Sequence, residues 1–209
     1  MKTILIALMI WLIITGCWVP INIQTCTNVQ DTQTCVSAND VTDIKKINTA
    51  ADDALAALKN KDGKKLSTMI SKDWVRFSPY TYVDINQDIV ISATDIKDII
   101  TNNTEYKRWL EAGSWDPIEM TFSEYRSKYI YNGNFDTEWI KYLNSKWSRN
   151  GNMVNTIFAS YGNDIILEYY IPGKSKLYDN MDRKSLTLIF SKENWDLKLK
   201  WVVHGERTI

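Results

Sequence analysis

The sequence predicts an α+β fold, with N-terminal helices packed on one face of a curved, mainly antiparallel sheet. A flexible tether is expected to precede it. Three observations predict this. Ile44, Ile47, Ala51, Ala54, Leu55 and Leu58 recur at helical spacing early in the domain. Residues 164–171, 185–191 and 197–203 follow late as runs of Ile, Leu, Val and aromatic residues that read as strands. No repeat, low-complexity tract or long linker divides residues 41–209, and aromatic residues make up 12% of the chain, too many for general disorder.

The chain opens with Lys2 and then an uncharged, mostly apolar run over residues 4–15. That is a signal-peptide core, shorter than the roughly 20 residues a bilayer span needs. It ends in Ile14-Thr15-Gly16-Cys17. This resembles the lipobox of bacterial lipoproteins, in which small residues precede an obligatory cysteine. The alternatives are an ordinary signal peptide or a buried apolar helix; the early lysine, the core length and the boundary cysteine favour the lipobox. The resemblance implies a cleaved signal over residues 1–16 and a lipid-modified Cys17. It also implies an address in the bacterial cell envelope, anchored to a membrane on its extracytoplasmic side. Two or more acyl chains give stable anchoring.

Residues 17–40 read as the lipidated tether, because 18–40 are rich in Thr, Asn, Gln and Asp without a helical or strand period. Cys26 and Cys35 remain after Cys17 is assigned to lipid, and an oxidising compartment favours a disulfide between them. The alternative is two free thiols. The spacing is not Cys-x-x-Cys, so a thiol-redox role is disfavoured.

The domain is expected over residues 41–209. Thr42 is a plausible N-cap for its first helix, and Gly63 suits the left-handed stop after Lys59-Asn60-Lys61-Asp62. Residues 64–70 read as a short helix, 74–80 as a strand broken by Pro79, and 82–84 as a turn. Thr94 is expected to cap a helix reaching residue 100. Residues 105–111 read as a helical turn, 115–117 as a loop and 121–131 as helix, with a break at Asn132-Gly133-Asn134. Glu193-Asn194-Trp195-Asp196 reads as the hairpin turn between the last two strands.

The stretch Ala54-Leu55-Ala56-Ala57-Leu58-Lys59-Asn60-Lys61-Asp62, then Lys65-Leu66, resembles the opening of cone-shaped domains such as nuclear transport factor two and ketosteroid isomerase. Val75-Arg76-Phe77-Ser78-Pro79-Tyr80-Thr81-Tyr82-Val83-Asp84 resembles a signature of poorly characterised bacterial lipoproteins within that superfamily. So do Pro117-Ile118-Glu119-Met120-Thr121-Phe122-Ser123-Glu124-Tyr125, the Glu168-Tyr169 strand and His204-Gly205-Glu206-Arg207-Thr208-Ile209. The resemblance spans about residues 44–209. It implies a fold and an address, and no reaction, since that group's function is unassigned.

Candidate chemistry is sparse. His204 is the only histidine. On the last strand it alternates with Val203, so it is either a base facing the pocket or a hydrogen-bonded structural histidine. Glu206, with Glu119, Glu124 and Glu168, is the other candidate base. Arg76, Ser78 and Tyr80 share one face of a regular strand and are candidate binding residues. Arg76 would hold a carboxylate or phosphate, or else pair internally with Glu168 or Glu206. No second histidine, His-Glu-x-x-His, Gly-x-Ser-x-Gly or phosphate loop occurs, so no metal or other cofactor is expected. Asp84-Ile85-Asn86-Gln87-Asp88 only partly matches a calcium loop. Lys and Arg total 25 against 25 Asp and Glu, with no basic stripe, which speaks against nucleic acid as a partner. The expected function is a membrane-anchored, non-catalytic module binding a small ligand or an envelope protein. A small-molecule isomerase, dehydratase or hydrolase using the cone pocket is the alternative.

Overall fold

The computed structural model describes residues 25–29, 32–36, 38–71, 73–99, 104–110, 116–135, 137–145, 154–176 and 180–206. The chain divides into two compact units between Lys45 and Lys46. Cys17 and the expected signal lie outside the described residues.

The first unit holds an antiparallel hairpin of β1 (Thr25–Val29) and β2 (Thr32–Val36). No strand was expected there. The signal lies in β-branched residues, not in hydropathy: Thr25, Thr27 and Val29 oppose Val36, Thr34 and Thr32 on one face. Threonine counts as polar, so the period of two is invisible on a hydropathy scale. Cys26 and Cys35 are register partners on the other face.

Helix α1 (Ala38–Lys59) begins before Thr42, so Thr42 is not its N-cap. Gly63 is not its stop either. The left-handed residue is Lys61, at φ 58°, while Gly63 opens α2 (Gly63–Met69) behind the N-cap Asp62, whose carboxylate accepts from the Lys65 N–H at 2.8 Å. Gly63 is needed for a close approach instead: a Cβ there would lie 2.4 Å from the Lys97 carbonyl oxygen and 2.5 Å from that of Ile96.

Then come β3 (Trp74–Ser78), β4 (Ile89–Ser92), α3 (Ile96–Ile99), β5 (Glu105–Leu110), β6 (Pro117–Thr121) and α4 (Phe122–Tyr125). A π-helical turn, Arg126–Ile130, continues α4, and β7 (Ile140–Leu143), α5 (Ile157–Tyr161), β8 (Ile165–Ile171), β9 (Lys184–Glu193) and β10 (Asp196–Glu206) complete the chain. The helical turn expected at residues 105–111 is the strand β5, paired with β6 as a separate ribbon. The three late strands stand where expected. Thr121 and Glu124 form a capping box at the start of α4.

The main sheet has six strands in the order β4-β3-β10-β9-β8-β7. It is mixed, because β3 runs parallel to β10 while every other pair is antiparallel. Register sorts its faces. Leu167, Leu188, Val202, Phe77 and Ile89 are successive partners across five strands, and all belong to the core that includes α1, α2, α3 and α4. The adjacent row, Ile166, Ile189, Trp201 and Arg76, faces the other way. There Ile166, Ile189, Trp201 and Val203 pack with Ile157 and Tyr161 of α5 in a second, smaller core. Helices therefore cover both faces, not one as expected.

Two polar contacts fasten α1 to the sheet side. Asp52 accepts from the Tyr169 hydroxyl at 2.8 Å and from Lys141 at 2.6 Å. Arg126 donates from Nε to the Leu58 carbonyl at 2.5 Å and from its other nitrogen to that of Lys59. It thereby satisfies orphan carbonyls at the negative end of the α1 dipole.

Candidate functional site

His204 partners Leu186, which partners Tyr169, so the imidazole enters the large core. It is 1% exposed, and Tyr129 meets it edge-on with ring centres 5.6 Å apart. Its Nδ1 lies 3.0 Å from the Pro79 carbonyl oxygen, and its Nε2 lies 3.1 Å from Asn132 Nδ2. A carbonyl only accepts and an amide nitrogen only donates, which assigns one tautomer: Nδ1–H donates to Pro79 and Nε2 accepts from Asn132. Burial pushes the imidazole pKa down to about 4. The ring is neutral near pH 7, so its 3.6 Å approach to Glu206 is not an ion pair. Both nitrogens are engaged, and the structural histidine is the reading that fits.

Arg76, Ser78 and Tyr80 do not share a face. Regular strand ends at Ser78, and Tyr80 turns into the large core, edge-on to Tyr129 at 5.9 Å. Arg76 and Ser78 stay together opposite it. The guanidinium lies over the rings of Trp201, at 4.6 Å, and Trp74, at 5.5 Å, and donates to the Ile85 carbonyl at 2.7 Å. Glu168 and Glu206 are not its partners. Strand β8 stands three strands from β3, or roughly 14 Å at sheet spacing. Glu206 is five residues along β10 from Trp201, the register partner of Arg76, or roughly 17 Å.

The acid near Arg76 is Asp88. It is 3% exposed and accepts from the Ser78 hydroxyl, whose oxygen in turn accepts from Trp201 Nε1 at 2.8 Å. Burial drives the Asp88 carboxyl up to about 7, against the opposing influence of the Ser78 hydrogen bond and the Arg76 charge. Sequence reasoning met Asp88 only as part of a calcium-loop look-alike, because its burial depends on the 79–88 connection folding back along β3. That connection is tied to the segment before α5: Thr156 N–H donates to the Thr81 carbonyl at 3.1 Å, and the Thr156 hydroxyl accepts from Val83 N–H at 2.9 Å.

The other polar constellation lies where β10 ends. Asn132 donates to Glu206 at 2.9 Å as well as to His204, and Lys184 donates to the Asn132 carbonyl at 2.9 Å while standing 3.6 Å from Glu206. Beside them opens a cleft of about 270 Å³, lined by Asn132, Asn134, Glu138, Lys174, Asp182 and Lys184 over an apolar floor of Ile171 and Pro172. Lys174 pairs with Glu138, and Asp182 accepts from the backbone N–H groups of Lys174, at 3.0 Å, and Ser175, at 3.1 Å. Asn132 Oδ1 is buried and has no hydrogen-bond partner. Sequence reading saw residues 132–134 only as a chain break.

The other candidate acids do not converge. Glu124 is committed to its capping box, Glu119 is exposed on β6, and Glu168 partners Tyr142 and Thr187 in the sheet. Among the described residues, no three His, Cys, Asp or Glu side chains are grouped to hold a metal ion, and no helix is long and apolar enough to cross a membrane. Comparison with protein-family models, with curated proteins and with solved structures gives no match.

Proposed function

We propose that this chain is a lipid-anchored, extracytoplasmic lipoprotein of the bacterial cell envelope, and that its domain is a non-catalytic binding module. Residues 17–40 connect the anchor to the domain, and the domain belongs to the cone-shaped class that the sequence resembles. The cleft beside Asn132 takes a small polar ligand. One observation carries this reading: the cleft sets Glu138, Lys174, Asp182 and Lys184 around an apolar floor of Ile171 and Pro172, so charged groups that can orient a polar ligand surround a small volume. The interior supports a binding module over an enzyme, because Phe77, Phe122, Tyr125, Phe135 and Tyr169 fill it and the one histidine is fully engaged.

Thermal-shift screening of the purified protein against free amino acids, sugars and polyols tests the binding module. Stabilisation by one class, lost in Glu138→Ala and Lys184→Ala, is the expected outcome. No stabilisation by any class at millimolar concentration overturns the reading. Palmitate labelling of the full chain, abolished by Cys17→Ser, tests the anchor.

Asp88 supplies the single observation in favour of the enzymatic alternative, an isomerase, dehydratase or hydrolase. A carboxyl titrating at about 7 suits proton transfer near neutrality. Its hydrogen bond to Ser78 and its burial against the sheet favour a structural role.

A further inference from the structure

The β9–β10 hairpin turns on Asn194 and Trp195, at φ 46° and 71°. A two-residue turn of this kind requires positive φ at both positions and favours Asn followed by Gly. Asparagine fits; tryptophan is among the worst residues for the second position, because its Cβ meets the backbone there. Trp195 also gives nothing to the core. It is 94% exposed, against 62% for Ile85 and 61% for Val154, the next most exposed large apolar side chains among the described residues. Neither turn geometry nor packing accounts for an indole at this tip.

Its neighbour supplies the context. The Lys46 ammonium donates to the Trp195 carbonyl. Lys46 lies in the N-terminal half of α1, the half that leads back toward Cys17, so that part of the helix passes beside this tip. We propose that Trp195 is a second membrane contact, inserting its indole into the headgroup region of the bilayer to which Cys17 is anchored. This rests on the lipoprotein reading of Cys17. An indole is amphipathic and prefers that region to water or to the hydrocarbon core. The surrounding charges are balanced, Lys46 and Lys192 against Glu193 and Asp196, so the contact is aromatic in character and has little preference for anionic lipid.

The test uses residues 17–209 carrying Cys17→Ser, which has no lipid of its own, with phosphatidylcholine vesicles and vesicles containing phosphatidylglycerol. Trp195→Gly is the informative variant, because glycine suits the turn and the variant keeps its fold. Sedimentation with either vesicle should show partitioning that falls about tenfold in Trp195→Gly and is kept in Trp195→Tyr. Equal partitioning of parent and Trp195→Gly overturns the proposal. So does loss of self-association in Trp195→Gly without loss of partitioning, which would assign the tip to a second copy of the chain. Palmitate labelling of the full chain is read separately: no label on Cys17, with partitioning still dependent on Trp195, overturns the anchor and not the indole contact.

Discussion

A single amide group on Asn132 donates to His204 Nε2 at 3.1 Å and to Glu206 Oε2 at 2.9 Å. Both amide hydrogens are spent, the histidine tautomer is fixed, and the turn after the π-helical segment is tied to the end of β10. His204→Ala removes the acceptor for one hydrogen and the donor for the Pro79 carbonyl, and leaves a hole beside Tyr129. The expected loss of stability is about 2–4 kcal/mol, read by urea unfolding. A change near zero would return His204 to the list of candidate bases.

The pH dependence of stability separates His204 from Asp88. The imidazole pKa falls from 6.5 unfolded to about 4 folded, so the unfolded chain binds more protons between those values. Its contribution is complete above about pH 6.5 and is lost as pH falls toward 4. Asp88 has the opposite sign. Its carboxyl rises from 3.8 to about 7, the folded chain binds more protons in that window, and stability is lost as pH rises through it. Asp88→Asn keeps an acceptor for Ser78 and cannot ionise. The stability of Asp88→Asn relative to the parent should therefore grow from about pH 4 to about pH 7 and then level off, in thermal unfolding at fixed ionic strength. A constant difference across that range would place the Asp88 carboxyl in contact with water.

Arg76 combines stacking on Trp201 and Trp74 with a hydrogen bond to Ile85. Arg76→Ala should cost about 1–3 kcal/mol in urea unfolding. Arg76→Lys should recover little of it, because an ammonium lacks the planar fork that stacks and donates together. Full recovery by lysine would reduce the role of Arg76 to its charge.

Cys26 and Cys35 are backbone register partners across β1 and β2. Antiparallel partners have Cα atoms about 4.5–5.5 Å apart, within the range a disulfide spans. Intact-mass analysis of freshly isolated protein should show two alkylatable thiols only after reduction. Reduction should also lower the resistance of residues 25–36 to proteolysis, since closing so short a loop stabilises it by roughly 2–3 kcal/mol. Two thiols alkylated without reductant would refute the bond.

The sequence by itself determined the class of the fold, because helical periodicity at residues 44–58 and the three late runs are local patterns, each satisfied by its own segment. It also determined that Arg76 and Ser78 share a face, since alternation along a strand is local. Only the tertiary structure decided what those residues meet. Arg76 lies against Trp201 because β3 pairs in parallel with the last strand, a neighbour 125 residues away that no local pattern announces. Residues 105–110 became strand because Pro117–Thr121 was available to pair with them, overriding a weak helical preference. Asp88 and Asn132 took their roles from burial, which the fold imposes by bringing distant segments over them. A carboxyl or an amide reads the same in sequence whether it faces water or the core, and desolvation by the assembled fold separates the two.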